Sequence, residues 1–318
     1  MSVLITVILP VFLVVAAGYV AAWRDWFDDR AMDGLMRFAQ GFAAPFLLFQ
    51  SIAHIDLSSQ FDLFLLIAFY AGAFASFAAT WAAARQIFGR KPEDAVAIGF
   101  VALFSNTLLL GVPITERAYG EAALAGNWII ISIHSPLIYT FGITLMEFTR
   151  ARGQNLSVGR VAQRALAGVI RTPLVMGIAA GFAANLAGMA GLSLPDMLSE
   201  PFWAAVRMIA VTALPTALFA LGGILMRYRP EGDAGVIAVC CVSSLILHPA
   251  ITFGLGHAFG LDQAGMRSAV VTAAMAPGVN AYIFAHMYGA AKRVAASSVL
   301  LATAASVLSI GLWLHLLG

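Results

Sequence analysis

The chain has 318 residues, 61% hydrophobic and only 11% charged, with 18 basic and 16 acidic residues and a net charge of +2. Soluble domains carry about 25% charged residues, so this composition excludes an ordinary soluble enzyme, and without a basic excess no nucleic-acid partner is expected. The mean hydropathy of +0.89 fits a chain that crosses a membrane many times.

From the N-terminus, Met1-Ser2-Val3-Leu4-Ile5-Thr6 has no positively charged leader region and reads as the start of a retained first span. Taking about 20 apolar residues per span, ten spans follow, near 2–23, 34–54, 62–88, 94–118, 124–147, 166–189, 202–226, 234–258, 265–288 and 294–317. The predicted fold is an all-α polytopic membrane protein. The longest polar connector runs from Thr149 to Arg164, so the expected division is a five-helix repeat over 1–148, a cytoplasmic linker over 149–165 and a second five-helix repeat over 166–318. The only cysteines, the adjacent Cys240 and Cys241, lie in an apolar stretch and read as packing residues, with no metal-ligand spacing.

Connectors after the odd-numbered spans hold thirteen of the 18 basic residues, from Arg24 to Arg293, whereas the opposite side holds Arg117 and Arg267. The positive-inside rule makes those connectors cytoplasmic and sends both termini outward. Arg37, Arg171 and Arg207 fall within spans near their ends and are expected to snorkel to the headgroups.

The halves share landmarks at nearly constant offset. Pro10 and Ala16-Ala17-Gly18-Tyr19 recur as Pro173 and Ala179-Ala180-Gly181-Phe182, Pro45 as Pro215, Phe88-Gly89 as Phe259-Gly260, and Tyr119-Gly120 as Tyr288-Gly289. Five spans is an odd number, so the second repeat must enter from the opposite face, giving an inverted repeat.

Two spans are interrupted at matching places. Span 4 contains Phe104-Ser105-Asn106-Thr107-Leu108-Leu109-Leu110-Gly111-Val112-Pro113, and span 9 contains Ala276-Pro277-Gly278-Val279-Asn280. Gly and Pro weaken a helix through backbone entropy and a missing N–H, so Gly111, Pro113 and Pro277 are the expected helix breaks. In hydrocarbon such breaks are tolerated only where they face protein or a wet cavity. Paired broken spans point to a transporter's binding site. Ser105, Asn106, Thr107, Gly278 and Asn280 are therefore the candidate substrate or ion ligands, although a polar side chain here can also simply bond a neighbouring helix. Helix N-termini meeting at the breaks would suit a carboxylate without a buried cation.

No Asp or Glu falls at mid-span; Glu116 and Glu147 lie near span ends. His134 and His248 are the mid-span titratable groups. His248 reads as a neutral imidazole bonded to a neighbouring helix, while His134, followed by Ser135-Pro136, reads either that way or as a substrate or proton site. Soluble-type catalytic motifs are absent, so no enzyme is expected.

The run Asn106-Thr107-Leu108-Leu109-Leu110-Gly111-Val112-Pro113 resembles the N-T-x-x-x-G-[IV]-P pattern of the auxin efflux carrier family of membrane transporters, in its short bacterial form. The run Ala276 to Gly289 is similar to that family's P-x-x-V-x-x-[FY]-x-[FL]-A-x-x-Y-G stretch, and Glu147 and Arg150 match the usual acidic-then-basic end of span 5. The resemblance implies a fold similar to the bile acid–sodium symporters, with spans 1, 2, 6 and 7 as a panel and spans 3–5 and 8–10 as a core in which helices 4 and 9 cross. It further implies elevator-type transport of organic anions, such as indole-acetate in plants and malonate or malate in bacteria. Asn106, Pro113 and Pro277 would line the site, and His134 falls where plant members tend to have a polar residue facing the substrate. The long cytoplasmic loop of the large plant carriers is missing, and Asn280 stands where plant members are often apolar, which favours a smaller, more polar anion.

The function expected is secondary active transport of a small mono- or dicarboxylate across the bacterial inner membrane, with both termini on the periplasmic side. A passive channel or a membrane sensor is the alternative. No cofactor and no metal site are expected. Sodium or a proton would be the coupling ion, lipid the surrounding partner, and the panel helices a surface for a homodimer.

Overall fold

In the computed structural model, which describes residues 4–56, 61–151, 158–192 and 195–318, the chain is all helical, with no strand among the described residues. Helices α1 (Leu9–Trp23), α2 (Asp29–Phe38) and α3 (Ala44–Ala53) are followed by α4 (Leu63–Gln86), α5 (Pro92–Leu103), α6 (Val112–Tyr119) and α7 (Ala125–Arg150). Next come α8 (Val158–Ile170), α9 (Pro173–Met189), α10 (Asp196–Ala210), α11 (Ala213–Met226), α12 (Ala234–Val242) and α13 (His248–Phe259). Helices α14 (Gln263–Ala273), α15 (Val279–Tyr288) and α16 (Lys292–Leu317) complete the chain.

Among the described residues, six helical stretches are long and apolar enough to cross a bilayer: Ile5–Trp23, Leu63–Gln86, Glu121–Arg150, Met197–Met226, Ala234–Phe259 and Lys292–Leu317. Many of their large apolar side chains are exposed, Leu13, Met208 and Leu308 among them, as a lipid-facing surface requires. The remaining expected spans have other forms. The stretch predicted at 34–54 is one helical run with a π turn inside it, and those at 94–118 and 265–288 are broken. Where a span was predicted to start at residue 166, the helix starts instead at Pro173. Thr172, held extended (φ −72°, ψ 144°) by the proline after it, ends the preceding helix. That preceding helix, α8, occupies the second half of the stretch expected to be a linker; residues 152–157 of that stretch lie outside the described ones.

Four π turns, Leu4–Ile8, Ala39–Ala43, Thr107–Gly111 and Ser243–Leu247, each end two residues before a proline: Pro10, Pro45, Pro113 and Pro249. A proline inside a helix cannot donate to the carbonyl four residues back, and its ring crowds that carbonyl. The wider π turn relieves the crowding, and in two cases another helix supplies the lost donor. Arg117 donates to the Thr6 carbonyl at 2.8 Å, and Trp313 Nε1 donates to the Leu245 carbonyl at 2.9 Å.

The chain contacts divide into two compact units. One comprises residues 1–12, 62–166 and 227–318; the other comprises 13–61 and 167–226. Small residues hold the second unit together. A Cβ on Gly18 would stand 1.8 Å from the Phe219 carbonyl oxygen, and one on Gly222 would stand 1.8 Å from that of Val15, so α1 and α11 touch backbone to backbone. Gly177 packs on Pro45 in the same manner. Where lipid is as apolar as the side chains, such close approach is the main attraction between helices. Asn185 of α9 closes the end of α3, its Nδ2 lying 3.0, 3.2 and 2.7 Å from the carbonyls of Ile52, Ala53 and Ile55.

In the first unit, Asp62 and Asp233, 171 residues apart, cap α4 and α12 alike, accepting from the N–H of Phe64 at 2.7 Å and of Gly235 at 3.0 Å. The paired glycines of the sequence landmarks, Gly89 with Gly260 and Gly120 with Gly289, all adopt positive φ where a helix or turn ends. Only glycine takes that conformation freely.

Replacing Gly222 with Ala forces α1 and α11 apart and should cost about 1–3 kcal/mol, lowering the thermal midpoint of the purified protein. Ala at the exposed Gly188, whose Cβ would meet nothing within 4 Å, should leave it unchanged or slightly higher. A second expectation concerns acid. Partial desolvation raises the Asp233 carboxyl, but hydrogen bonds from Arg90 (2.7 Å) and from the N–H groups of Gly235 and Val236 outweigh this and hold it below its ordinary value. The stabilisation is therefore full above the ordinary carboxylate range and is lost as pH falls through the depressed value. Asp233→Asn should flatten the acid limb of a midpoint-against-pH curve; an unchanged limb would show that this pair contributes nothing.

Candidate functional site

The interruption in span 4 begins earlier than Gly111 and Pro113. Helix α5 ends at Leu103, and Phe104, Ser105 and Asn106 are non-helical; Gly111 lies inside the π turn and Pro113 at the start of α6, where its missing N–H is relieved by that turn. In span 9 the break is where Pro277 was expected to put it, between Ala273 and Val279. The two breaks pair with each other. Asn106 N–H donates to the Ala276 carbonyl and Gly278 N–H donates to the Phe104 carbonyl, both at 2.9 Å, with Ser105 opposite Pro277 in antiparallel register. In that register both hydrogen bonds come from the flanking residues, so Pro277 occupies a slot from which no donor is required.

Two helical segments start at this crossing. Asn106 (φ −79°, ψ 65°) precedes the π turn and Gly278 (φ −73°, ψ 159°) precedes α15, and neither start receives a side-chain cap. Uncapped N–H groups and positive helix ends carry partial positive charge, which an anion would complement. Ser105, Asn106 and Thr107 are buried, Asn106 being 8% exposed, and Asn280 is half-buried on the first turn of α15. Ser105 Oγ has no hydrogen-bond partner among the described residues. A Cβ on Gly278 would lie 3.7 Å from the Asn106 Cα, so the two starts are in van der Waals reach.

His134 lies beside the crossing. Its ring packs against Phe104 (centroids 4.9 Å apart) and Phe69 (5.8 Å) and faces the Ser105 backbone. Tyr139, five residues on along α7, rests on Phe104 at 5.3 Å and donates from its hydroxyl to the Asn280 carbonyl at 3.5 Å. The sequence-predicted candidates Ser105, Asn106, Thr107, Gly278, Asn280 and His134 thus fall around one crossing. His248 is bonded to a neighbouring helix, its Nε2 lying 3.1 Å from the Phe69 carbonyl.

Sequence reasoning passed over a support for the crossing. Asn127, fully buried at the start of α7, donates from Nδ2 to Thr115 Oγ1 of α6 at 3.1 Å and to Thr272 Oγ1 of α14 at 2.9 Å. One amide so ties together the second half of span 4, span 5 and the first half of span 9. Its partners are 12 and 145 residues away, and the only trace in the sequence is an Asn at the start of an otherwise apolar segment. Tyr139 was equally silent. At the far ends of the broken spans, the Arg267 guanidinium stacks over Tyr119 at 4.2 Å and that of Arg150 over Tyr288 at 4.8 Å.

Asn127→Leu removes both hydrogen bonds and orphans two buried hydroxyls. It should destabilise the protein by about 1–3 kcal/mol, seen as a lower thermal midpoint, and Thr115→Val with Thr272→Val on that background should recover part of the loss.

The sequence model of the membrane transport protein family matches residues 3–314. A protein of Rhizobium meliloti (strain 1021) named "Putative malonate transporter" is 24% identical over 314 residues, covering 98% of this chain and 94% of the relative. Nearly the whole length is thus accounted for by a family of transporters rather than enzymes, and its many apolar helices make it a multi-pass membrane protein. The chain belongs to the membrane transport protein family, the auxin efflux carrier group that its two broken-span motifs resemble.

Proposed function

We propose that this protein is a secondary active transporter of a small organic anion, with a dicarboxylate of malonate or malate size as its substrate class. The observation that carries the reading is the crossing of two broken helices, where uncapped helix starts converge beside Ser105, Asn106 and Asn280. Such a site attracts a carboxylate through N–H groups and helix dipoles, and no Lys or Arg is buried among the described residues to do so instead. The name carried by the Rhizobium relative supports the same class.

The architecture we propose has ten spans in two inverted five-helix repeats. The repeated Gly and Pro landmarks and the matched caps Asp62 and Asp233 support it. Every residue of the crossing belongs to one of the two contact units, which suits an elevator in which a core carries the substrate and a panel stays in place. Alternating access, a location in the bacterial inner membrane, both termini on the periplasmic side, coupling to sodium or a proton, and a homodimer through the panel helices belong to the same proposal.

The test is thermal stability of the purified protein with a series of mono- and dicarboxylates, each with and without sodium. A ligand at a hundred times its dissociation constant stabilises the folded state by about 2.7 kcal/mol. Malonate should raise the midpoint, and Asn106→Ala should weaken its binding by about tenfold or more, the worth of a hydrogen bond to a charged group. Equal shifts in both proteins would remove Asn106 from the site, and no shift with any anion would refute the substrate class.

A further inference from the structure

The crossing leaves one group without an explanation. His134 is 1% exposed and faces the Ser105 backbone, yet neither ring nitrogen makes a well-formed hydrogen bond among the described residues. A neutral imidazole has one N–H donor and one bare acceptor, and burying both unpaired is costly. His248, fully buried on α13, shares the arrangement in part. A carbonyl can only accept, so its bond to Phe69 puts the proton on Nε2 and leaves Nδ1 a bare buried acceptor, also without a partner. The two imidazoles flank one phenyl ring, that of Phe69, at 5.8 and 4.9 Å.

Among the described residues, the surroundings of His134 offer no counter-charge. From α4 it meets Phe69 and Tyr70, whose hydroxyl is committed to the Ile130 carbonyl at 3.1 Å. From the crossing it meets Phe104 and the Ser105 backbone, and from α13 it senses His248. Tyr139 lies across Phe104. No Asp or Glu is buried among the described residues, and tyrosine and cysteine lose protons only well above neutral pH. Among the described residues, the two histidines are therefore the buried groups whose ordinary titration range lies nearest neutral pH. An imidazolium here has no charged partner among the described residues, but it would have one in an anion seated at the adjacent crossing.

We propose that His134 is the proton-binding site of the carrier, loaded only together with the anion, so that one proton travels with each substrate molecule. The inference rests on the organic-anion reading above and names its coupling ion. A proton from solution adds to a lone pair of the His134 ring when the anion arrives and returns to solution when the anion leaves; no bond to the substrate forms. An imidazolium alone in these apolar surroundings lacks an opposite charge, and the anion would supply it. His248 limits the load to one proton, because two imidazolium ions around a single phenyl would repel each other. Coupling of this kind is reciprocal: the anion raises proton affinity by the factor by which the proton raises anion affinity.

The experiment is calorimetric titration of the full-length purified protein with malonate, in two buffers of different ionisation heat, over a range of pH. Uptake of about one proton per malonate is expected, with affinity rising about tenfold for each unit that pH falls. His134→Gln should still bind malonate, but with no proton uptake and no pH dependence, whereas His248→Gln should keep the uptake near one. Malonate binding without proton uptake in the unaltered protein would overturn this inference and leave the anion carrier standing. Uptake that survives His134→Gln would put the proton on malonate itself or elsewhere, and would also overturn it. Failure to bind malonate or any other carboxylate would overturn both readings. Proton counting on the unaltered protein decides the matter even if a variant does not fold.

Discussion

Two main-chain hydrogen bonds, from Asn106 to Ala276 and from Gly278 to Phe104, are the constraint on which the first unit depends. A helix interrupted inside a bilayer exposes N–H and C=O groups that lipid cannot satisfy. Here each interruption satisfies the other, so neither broken span is a stable element by itself. The pairing also explains why a proline can sit at its centre, since Pro277 occupies a position where the ladder asks for no donor. The geometry that repairs the backbone leaves two helix starts uncapped beside polar side chains.

Around that pair the structure spends its few polar side chains on cross-links. Asn127 binds three segments through two threonine hydroxyls, Tyr139 reaches the Asn280 carbonyl, and Arg117 and Trp313 take carbonyls crowded by Pro10 and Pro249. None of the cross-links at the crossing brings a full charge into the apolar interior, where an unpaired ion is most costly. Lysine and arginine are likewise not buried among the described residues. The second unit shows a different economy. Its helices meet through Gly18, Gly177 and Gly222, whose missing side chains allow backbone contact and dispersion attraction. A single amide, that of Asn185, caps α3 there.

The sequence by itself determined the membrane class, the repeated landmarks and the two apolar segments that are broken near their middles. These are legible because apolar run length, Gly–Pro chemistry and charge asymmetry are local properties of the chain. The residues grouped around the crossing, Ser105, Asn106, Thr107, Gly278, Asn280 and His134, were readable for the same reason, as polar side chains within a few positions of a break or at mid-span. Only the tertiary structure decided where the first break falls. Pro113 pointed to a kink at its own position, but a π turn absorbs its effect and the backbone opens at Phe104–Asn106, where Ala276–Gly278 is present to pair with it. It also decided that the helix after the connector begins at Pro173, and that Asn127, 145 residues from Thr272, bonds to it. Those outcomes depend on which distant backbone or side chain lies opposite, and hydrogen bonding across a crossing leaves no periodic trace in either segment.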